Sequence, residues 1–275
     1  MMALLEKTKL LLREHRIYPK KRLGQNFTVE ASVFEQLINY ASIQRSDVVL
    51  DIGAGFGFLT KLLSERSRKV LAVEFDSRLA SLLRGEVEGL SNVEVIEGDV
   101  LKTPICLFDK VVSTPPYQIS SQLVEWLLNR SFARAVLVFQ REFADRLVAA
   151  VGSKDYGWLT VISYYYADVE LLDIVPKWMF YPQPEVDSII VRFKPRSQRP
   201  FAVKDEMLFK QVVQTLFTQR NRKLRNAITP FLKRMQPSVS KKKTAELADT
   251  IPFHDRRVRE LAPEDFGAIA DVFVL

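Results

Sequence analysis

The chain predicts an α/β fold, a mostly parallel sheet covered on both faces by helices, followed by a smaller helical and basic region. Three observations carry this. Runs rich in Val and Ile alternate with segments of helical period between residues 48 and 139. A glycine turn, DIGAGFG (Asp51–Gly57), follows the first of those runs, where a strand passes into a helix. Past Pro195 composition and period shift together, which places a boundary near residue 196 and predicts domains 1–196 and 197–275.

The opening stretch MMALLEKTKLLLREHR is interrupted by charge every few residues, so it reads as a short amphipathic helix and not as a signal peptide or membrane span. Glu6 and Glu14 argue against an organellar presequence. Val48–Ile52 is the first strand and Leu59–Leu63 begins a helix. Lys69–Phe75 is the second strand, with a helix near Arg78–Leu83. Val93–Ile96 and Lys110–Val112 are the third and fourth strands. Ser121–Leu128 returns as a helix and Ala135–Phe139 is a fifth strand. Val161–Leu172 and Ser188–Phe193 read as an antiparallel hairpin at the sheet edge, with Tyr164, Tyr165 and Tyr166 alternating across it. The loop FYPQPEVDS (Phe180–Ser188) lies between them. Helical segments follow at Glu206–Phe217, Arg222–Ala227, Lys241–Ala248 and Pro263–Phe273.

At 275 residues and 47% hydrophobic, the chain is long enough to bury a substantial core. A single cysteine, Cys106, rules out an intrachain disulfide and makes a reducing, cytoplasmic setting the default. The net charge of +7 is unevenly spread. From Arg192 to Lys243 there are fifteen Lys and Arg against two acidic residues, so this segment carries +13 and the remainder −6. That asymmetry points to a polyanion, most simply nucleic acid. His15 and His254 lie outside every motif, and no Cys/His cluster has metal spacing, so no metal is expected. No G-x-x-x-x-G-K-[ST] is present, which disfavours a nucleotide hydrolase.

Gly53, Gly55 and Gly57 are spaced G-x-G-x-G, one residue shorter than the dinucleotide fingerprint. Glu74 ends the second strand, where a carboxylate can accept from ribose hydroxyls. Asp99 follows the third strand and can accept from an adenine amino group. Asp51 precedes the glycine turn and can orient it or a cationic ligand. These positions fit a methyl donor, and an NAD site would use the same Glu74. STPPYQIS (Ser113–Ser120) follows the fourth strand and so borders the same crevice. An exocyclic amine on a base is a weak nucleophile, and attack on a sulfonium methyl needs hydrogen-bond acceptors and a flat surface to fix the ring. Thr114 Oγ1 and the Pro115 carbonyl are the expected acceptors, Tyr117 the stacking face and Phe180 its opposite face. Tyr117 also suits a packed turn aromatic, and Phe180 and Trp178 suit plain core.

Motifs along nearly the whole chain resemble the ribosomal RNA small-subunit adenine N6,N6-dimethyltransferase family, the kasugamycin-sensitivity type with archaeal and eukaryotic relatives. They are KKRLGQNFTVE (Lys20–Glu30), DIGAGFG, the Glu74 strand end, EGDV (Glu97–Val100), VFQREFADRLVA, SKDYGWLTV, FYPQPEVDS, FTQRNRKLRN (Phe217–Asn226) and RVRELAPEDF. The resemblance implies a Rossmann-like class I S-adenosylmethionine-dependent methyltransferase domain with a smaller C-terminal helical domain. It implies dimethylation of two adjacent adenosines near the 3′ end of small-subunit rRNA, within a pre-ribosomal particle, by a monomer. It adds Gln25, Asn26, Thr28 and Val100, with Thr114, to the cofactor residues, and Arg220, Arg222, Lys223 and Arg225 to the RNA contacts. Where the family reads N-[LI]-P-[YF], this chain has T-P-P-Y, so Thr114 replaces asparagine. A ribosome-assembly factor without turnover, and a DNA adenine methyltransferase, are the alternatives that this exchange leaves open.

Overall fold

A computed structural model describes residues 3–274. Its helices are α1 (Leu4–Glu14), α2 (Ala31–Ala41), α3 (Phe58–Ser64), α4 (Ser77–Glu86), α5 (Ser120–Leu128), α6 (Arg141–Leu147), α7 (Trp158–Tyr166), α8 (Glu206–Phe217), α9 (Leu224–Ala227), α10 (Thr229–Met235), α11 (Lys241–Thr250) and α12 (Pro263–Asp271). Its strands are β1 (Phe27–Thr28), β2 (Val48–Ile52), β3 (Lys69–Glu74), β4 (Val93–Glu97), β5 (Lys110–Ser113), β6 (Arg134–Gln140), β7 (Ala167–Val175), β8 (Phe180–Tyr181) and β9 (Ser188–Pro195).

The chain forms two compact units, one of residues up to Ala144 plus Val169–Pro195, the other of Asp145–Asp168 plus Arg196–Leu275. The single division expected at residue 196 is thus one of several crossings, because 145–168 group with the C-terminal part. The first unit holds a seven-stranded sheet in the order β4-β3-β2-β5-β6-β9-β7. The strands from β4 to β6 run parallel, and β9 runs antiparallel to β6. Every residue of β2 and β5 is buried, Asp51, Lys110 and Ser113 among them, as the centre of a doubly covered sheet demands. Strand order reverses between β2 and β5, which opens a crevice at their carboxyl ends.

A buried ion pair fastens the opposite, amino ends of these two strands. Lys110 is 8% exposed. Its Nζ lies 2.7 Å from Asp47 Oδ2 and donates to the Ser42 carbonyl. Asp109 Oδ2 accepts from the N–H of Val48 at 2.7 Å, and the N–H of Asp109 donates to the Val48 carbonyl at 2.8 Å.

In the second unit, the expected strand from Val161 is helix α7 as far as Tyr166, and only Ala167 onward is extended. Burial overrides propensity here: Leu159–Ser163, Tyr165 and Tyr166 are all buried, which a half-covered strand cannot provide. Thr160 Oγ1 accepts from the Gly157 N–H at 3.1 Å and fixes the first turn. The neighbouring tyrosines do not alternate. Tyr165 and Tyr166 both reach Glu206, at 3.2 and 2.9 Å. Asp205 caps α8 by accepting from the N–H groups of Met207 and Leu208. Rings of Tyr165, Phe201 and Phe209 cluster with centroids 4.9–5.7 Å apart, and Phe217 stacks on Phe266 at 5.3 Å. Strands β9 and β7 are neighbours at the sheet edge, as the expected hairpin required, but β9 also pairs with β6 and so is not an outer strand.

Lys110→Met removes one partner of the buried pair and leaves Asp47 uncompensated. It should cost about 3–5 kcal/mol, read as a lower urea midpoint at unchanged slope. The double variant Asp47→Asn, Lys110→Met should recover part of that loss; equal midpoints for Lys110→Met and wild type would contradict the assignment.

Candidate active site

The carboxyl ends of β2, β3, β4 and β5 surround a cavity of about 280 Å³. Gly53, Gly55, Glu74, Asp99, Val100, Thr114, Gln25, Asn26 and Thr28 all line it. The structure brings these nine expected residues to one cavity.

The glycine turn has two different mechanical tasks. Gly53 sits at φ +72°, and a Cβ there would lie 2.8 Å from Pro116 Cδ. The missing side chain lets the proline corner after β5 rest directly on the turn after β2. Gly57 is at φ +74°, and its Cβ would meet Leu83 Cδ1 at 2.6 Å. It faces α4, not the cavity, so the ligand-binding role expected of it is replaced by close packing of α3 and α4.

Glu74 is 6% exposed. Burial pushes its carboxyl up, against backbone N–H bonds from Asp76, Gly55 and Phe75. Oε2 accepts from Gly55 at 3.0 Å and Oε1 from Asp76 at 2.9 Å, so the group is aimed before any ligand arrives. Asp99 Oδ1 accepts from the N–H of Leu101 at 3.0 Å, with Lys102 Nζ 3.7 Å from Oδ2. Val100 is 4% exposed and gives the cavity an apolar wall.

Phe75 and Asp76 are among the lining residues that the sequence motifs do not single out. Phe75 is 60% exposed beside Glu74, a flat face at the cavity rim. Asp76 caps α4 and accepts from Lys20 Nζ at 2.7 Å and from the Arg78 N–H at 3.1 Å. Burial raises its pKa, but the Lys20 and Arg78 bonds outweigh burial and hold it down at about 2. The signal was legible as Asp before Ser77 at a helix start. Gln25 joins this latch: its Oε1 accepts from the Lys20 N–H at 2.7 Å and its Nε2 lies 3.5 Å from Asp76 Oδ2. Asn26 donates to the Gly24 carbonyl at 3.2 Å. The Thr28 hydroxyl is buried without a hydrogen-bond partner among the described residues.

Asp51 is 1% exposed and accepts from Thr60 Oγ1 at 2.7 Å. Burial pushes it up to about 7, with Thr60 opposing and Glu74 adding.

The STPPYQIS corner needs three corrections. Pro116, not Pro115, lines the cavity, and Pro115 is buried. Tyr117 sits in a 3-10 turn outside the lining, and its hydroxyl is 2.6 Å from Ser188 Oγ. Phe180 is 2% exposed and stands edge-on to Tyr117, centroids 6.4 Å apart at 68°. Strand pairing of Thr28 with Phe180 fixes that ring, so the two aromatics do not form a preset sandwich.

In the second unit, Arg220 donates to the carbonyls of Lys154 and Ser153, Lys223 pairs with Asp255 at 3.0 Å, and Arg225 pairs with Asp255 and Asp249. These three expected RNA contacts hold their own unit together. Arg222 is exposed. Among the described residues no His/Cys/Asp/Glu group can hold a metal, and no helix is long and apolar enough to cross a membrane.

The residues fit S-adenosylmethionine. Glu74 offers fixed acceptors at a strand end, Gly53 and Gly55 bare the backbone, Val100 and Phe75 offer apolar faces, and Thr28 has an unused hydroxyl. Comparison with known proteins agrees. The family model "Ribosomal RNA adenine dimethylase" matches residues 18–262. A probable ribosomal RNA small subunit methyltransferase A of Methanosarcina acetivorans is 41% identical over 248 residues, covering 90% of this chain and 91% of the relative. Its counterpart in Thermococcus kodakarensis is 40% identical over 260 residues, covering 93% and 90%. A dimethyladenosine transferase structure from Plasmodium falciparum superposes with TM-score 0.74 at 28% identity, covering 88% of this chain and 95% of that one. The 23S rRNA methyltransferase ErmE gives 0.63 at 27%, covering 90% and 98%.

Asp51 supplies a pH test. Its native pKa of about 7 lies above the ordinary 3.8, so the native state holds a proton that the unfolded chain has lost. The stability from this site is complete below the ordinary value and disappears as pH rises through the native one. Asp51→Asn cannot ionise, so it should gain on wild type by about 2–4 kcal/mol as pH climbs across that window. Urea unfolding at several pH values measures this, and parallel pH profiles would refute it.

Proposed function

The chain belongs to the ribosomal RNA adenine dimethylase family, and on that premise we propose that it methylates N6 of two adjacent adenosines near the 3′ end of small-subunit rRNA. It is an S-adenosylmethionine-dependent rRNA adenine dimethyltransferase with the class I α/β fold. The observation that carries the finer reading is that Thr114 and Pro116 line the same cavity as Glu74 and Asp99. Donor and acceptor sites therefore share one crevice.

S-adenosylmethionine supplies an electrophilic methyl on a sulfonium. When it is bound, Glu74 would hold its ribose, and Asp99 with Val100 and Phe75 would hold its adenine. Gln25, Asn26 and Thr28 cover the cavity from the chain's N-terminal side. Thr114 Oγ1, on the cavity wall, would accept an N6 hydrogen of the target base and hold that amine toward the donor. Tyr117 orients the ring. Burial, opposed by the Ser188 bond, pushes its hydroxyl up to about 12, so it stays protonated and serves as a surface and not as a base. As the nitrogen gains the methyl, the S–CH3 bond would break to leave a neutral thioether, and the proton of the now acidic amine would pass to water. Entry of the base requires its extrusion from the stack, and Phe180 must turn from its edge-on packing if it is to face the base. In the second unit, exposed Arg222 and the exposed run Lys241–Lys243 offer phosphate contacts. A reading as an assembly factor without turnover rests on Thr114, whose side chain is shorter than the asparagine it replaces.

Mass spectrometry of the rRNA 3′ region after incubating undermethylated small subunits with protein and donor should show dimethyladenosine at two neighbouring positions. Donor binding without methyl incorporation would instead favour the assembly factor. Glu74→Ala should weaken donor binding by calorimetry about 10–100-fold. Tyr117→Ala should lower turnover while leaving that affinity intact, and loss of donor affinity in Tyr117→Ala would displace the tyrosine from the acceptor side.

A further inference from the structure

Trp178 has no part in the site described so far. It is not the core residue that its composition allowed: the indole is 55% exposed, in the 3-10 turn Lys177–Met179 that leads into Phe180. The turn is anchored at both ends, and one of its anchors, Asp187, is itself tied to Arg141. The N–H of Lys177 donates to Asp187 Oδ1 at 2.9 Å, and the N–H of Arg141 donates to the Asp187 carbonyl at 3.1 Å. The Met179 carbonyl accepts from the N–H of Val29 at 2.9 Å. Asp187 precedes Ser188, the residue bonded to the Tyr117 hydroxyl. One residue thus holds Lys177 and Arg141 together beside the tyrosine that orients the target base. Both side chains are exposed, and neither has an ion-pair partner among the described residues. An exposed indole and two exposed cations, without ion-pair partners among the described residues, are therefore carried on segments whose backbone Asp187 ties to the Tyr117 corner.

We propose that Trp178 is the stacking platform for a nucleotide next to the target adenosine, with Lys177 and Arg141 receiving the flanking phosphates. The proposal rests on the reading that an RNA adenine enters beside Tyr117. Extruding that adenine strips its neighbour of a stacking partner, and a fixed aromatic face restores one. Such a face tolerates any base, while adjacent cations respond to the backbone. The Asp187 carboxylate would repel a phosphate, but it is engaged by the Lys177 N–H and its position fixes the two cations.

The test compares wild type, Trp178→Ala and Trp178→Phe in two assays. On undermethylated small subunits, Trp178→Ala should raise KM roughly 5- to 150-fold with kcat and donor affinity near wild type, and Trp178→Phe should restore most of the loss. Independently, hexa-adenylate RNA should quench the tryptophan fluorescence of wild type in low salt. That quenching should vanish in Trp178→Phe, which retains Trp126 and Trp158, and should weaken as salt rises. Unchanged KM in Trp178→Ala, or equal quenching in wild type and Trp178→Phe, would overturn the proposal. Quenching needs no turnover, so a wild-type protein that failed to methylate would sink the functional reading and leave this result to be judged by fluorescence alone.

Discussion

One carboxylate, taken out of water, organises the crevice. Glu74 ends β3 with backbone N–H groups bonded to both oxygens, and one of those groups belongs to the glycine turn after β2. Burying a charge is tolerable only where such donors replace water. The glycine turn, the start of α4 and the Glu74 carboxylate are therefore a single hydrogen-bonded unit. Asp76 extends it outward, capping α4 and drawing in Lys20 and Gln25.

The second constraint is steric. With no Cβ on Gly53, Pro116 comes close enough to make the corner after β5 part of the same wall. Reacting groups carried on separate strands must keep their spacing within a fraction of an ångström. Rigid proline on bare backbone achieves this without a polar contact. At the amino ends the Lys110–Asp47 pair and the Asp109 bonds hold the same two strands, so the switch point is secured from both sides.

Much of this was legible because parallel strands buried on both faces write themselves as Val/Ile runs, and the residues after such runs must gather at one edge of the sheet. What was not legible depends on distant partners. Helix α7 has strand-like composition, and burial of all its residues but Trp158 and Tyr164 makes it helical. Orientation of the Phe180 ring follows from its pairing with Thr28. Gly57 and Gly53 look alike in a motif, yet one meets a leucine and the other a proline. Charge counting marked the C-terminal region correctly as basic but could not see that Arg220, Lys223 and Arg225 have partners at home. Phe75 was hidden because an aromatic directly after a buried strand reads as more strand.

The division of the chain carries a consequence for biosynthesis. The C-terminal unit takes Asp145–Asp168 as well as Arg196 onward, with Val169–Pro195 assigned to the other unit. Tyr165 and Tyr166 leave the translating ribosome well before Glu206, Phe209 and Phe201, the residues they pack against. Maturation is consequently interleaved, and neither half can be finished as an autonomous product of one uninterrupted stretch. A fragment cut at residue 196 would strand α7 on the wrong piece, with its aromatic counterparts left bare on the other.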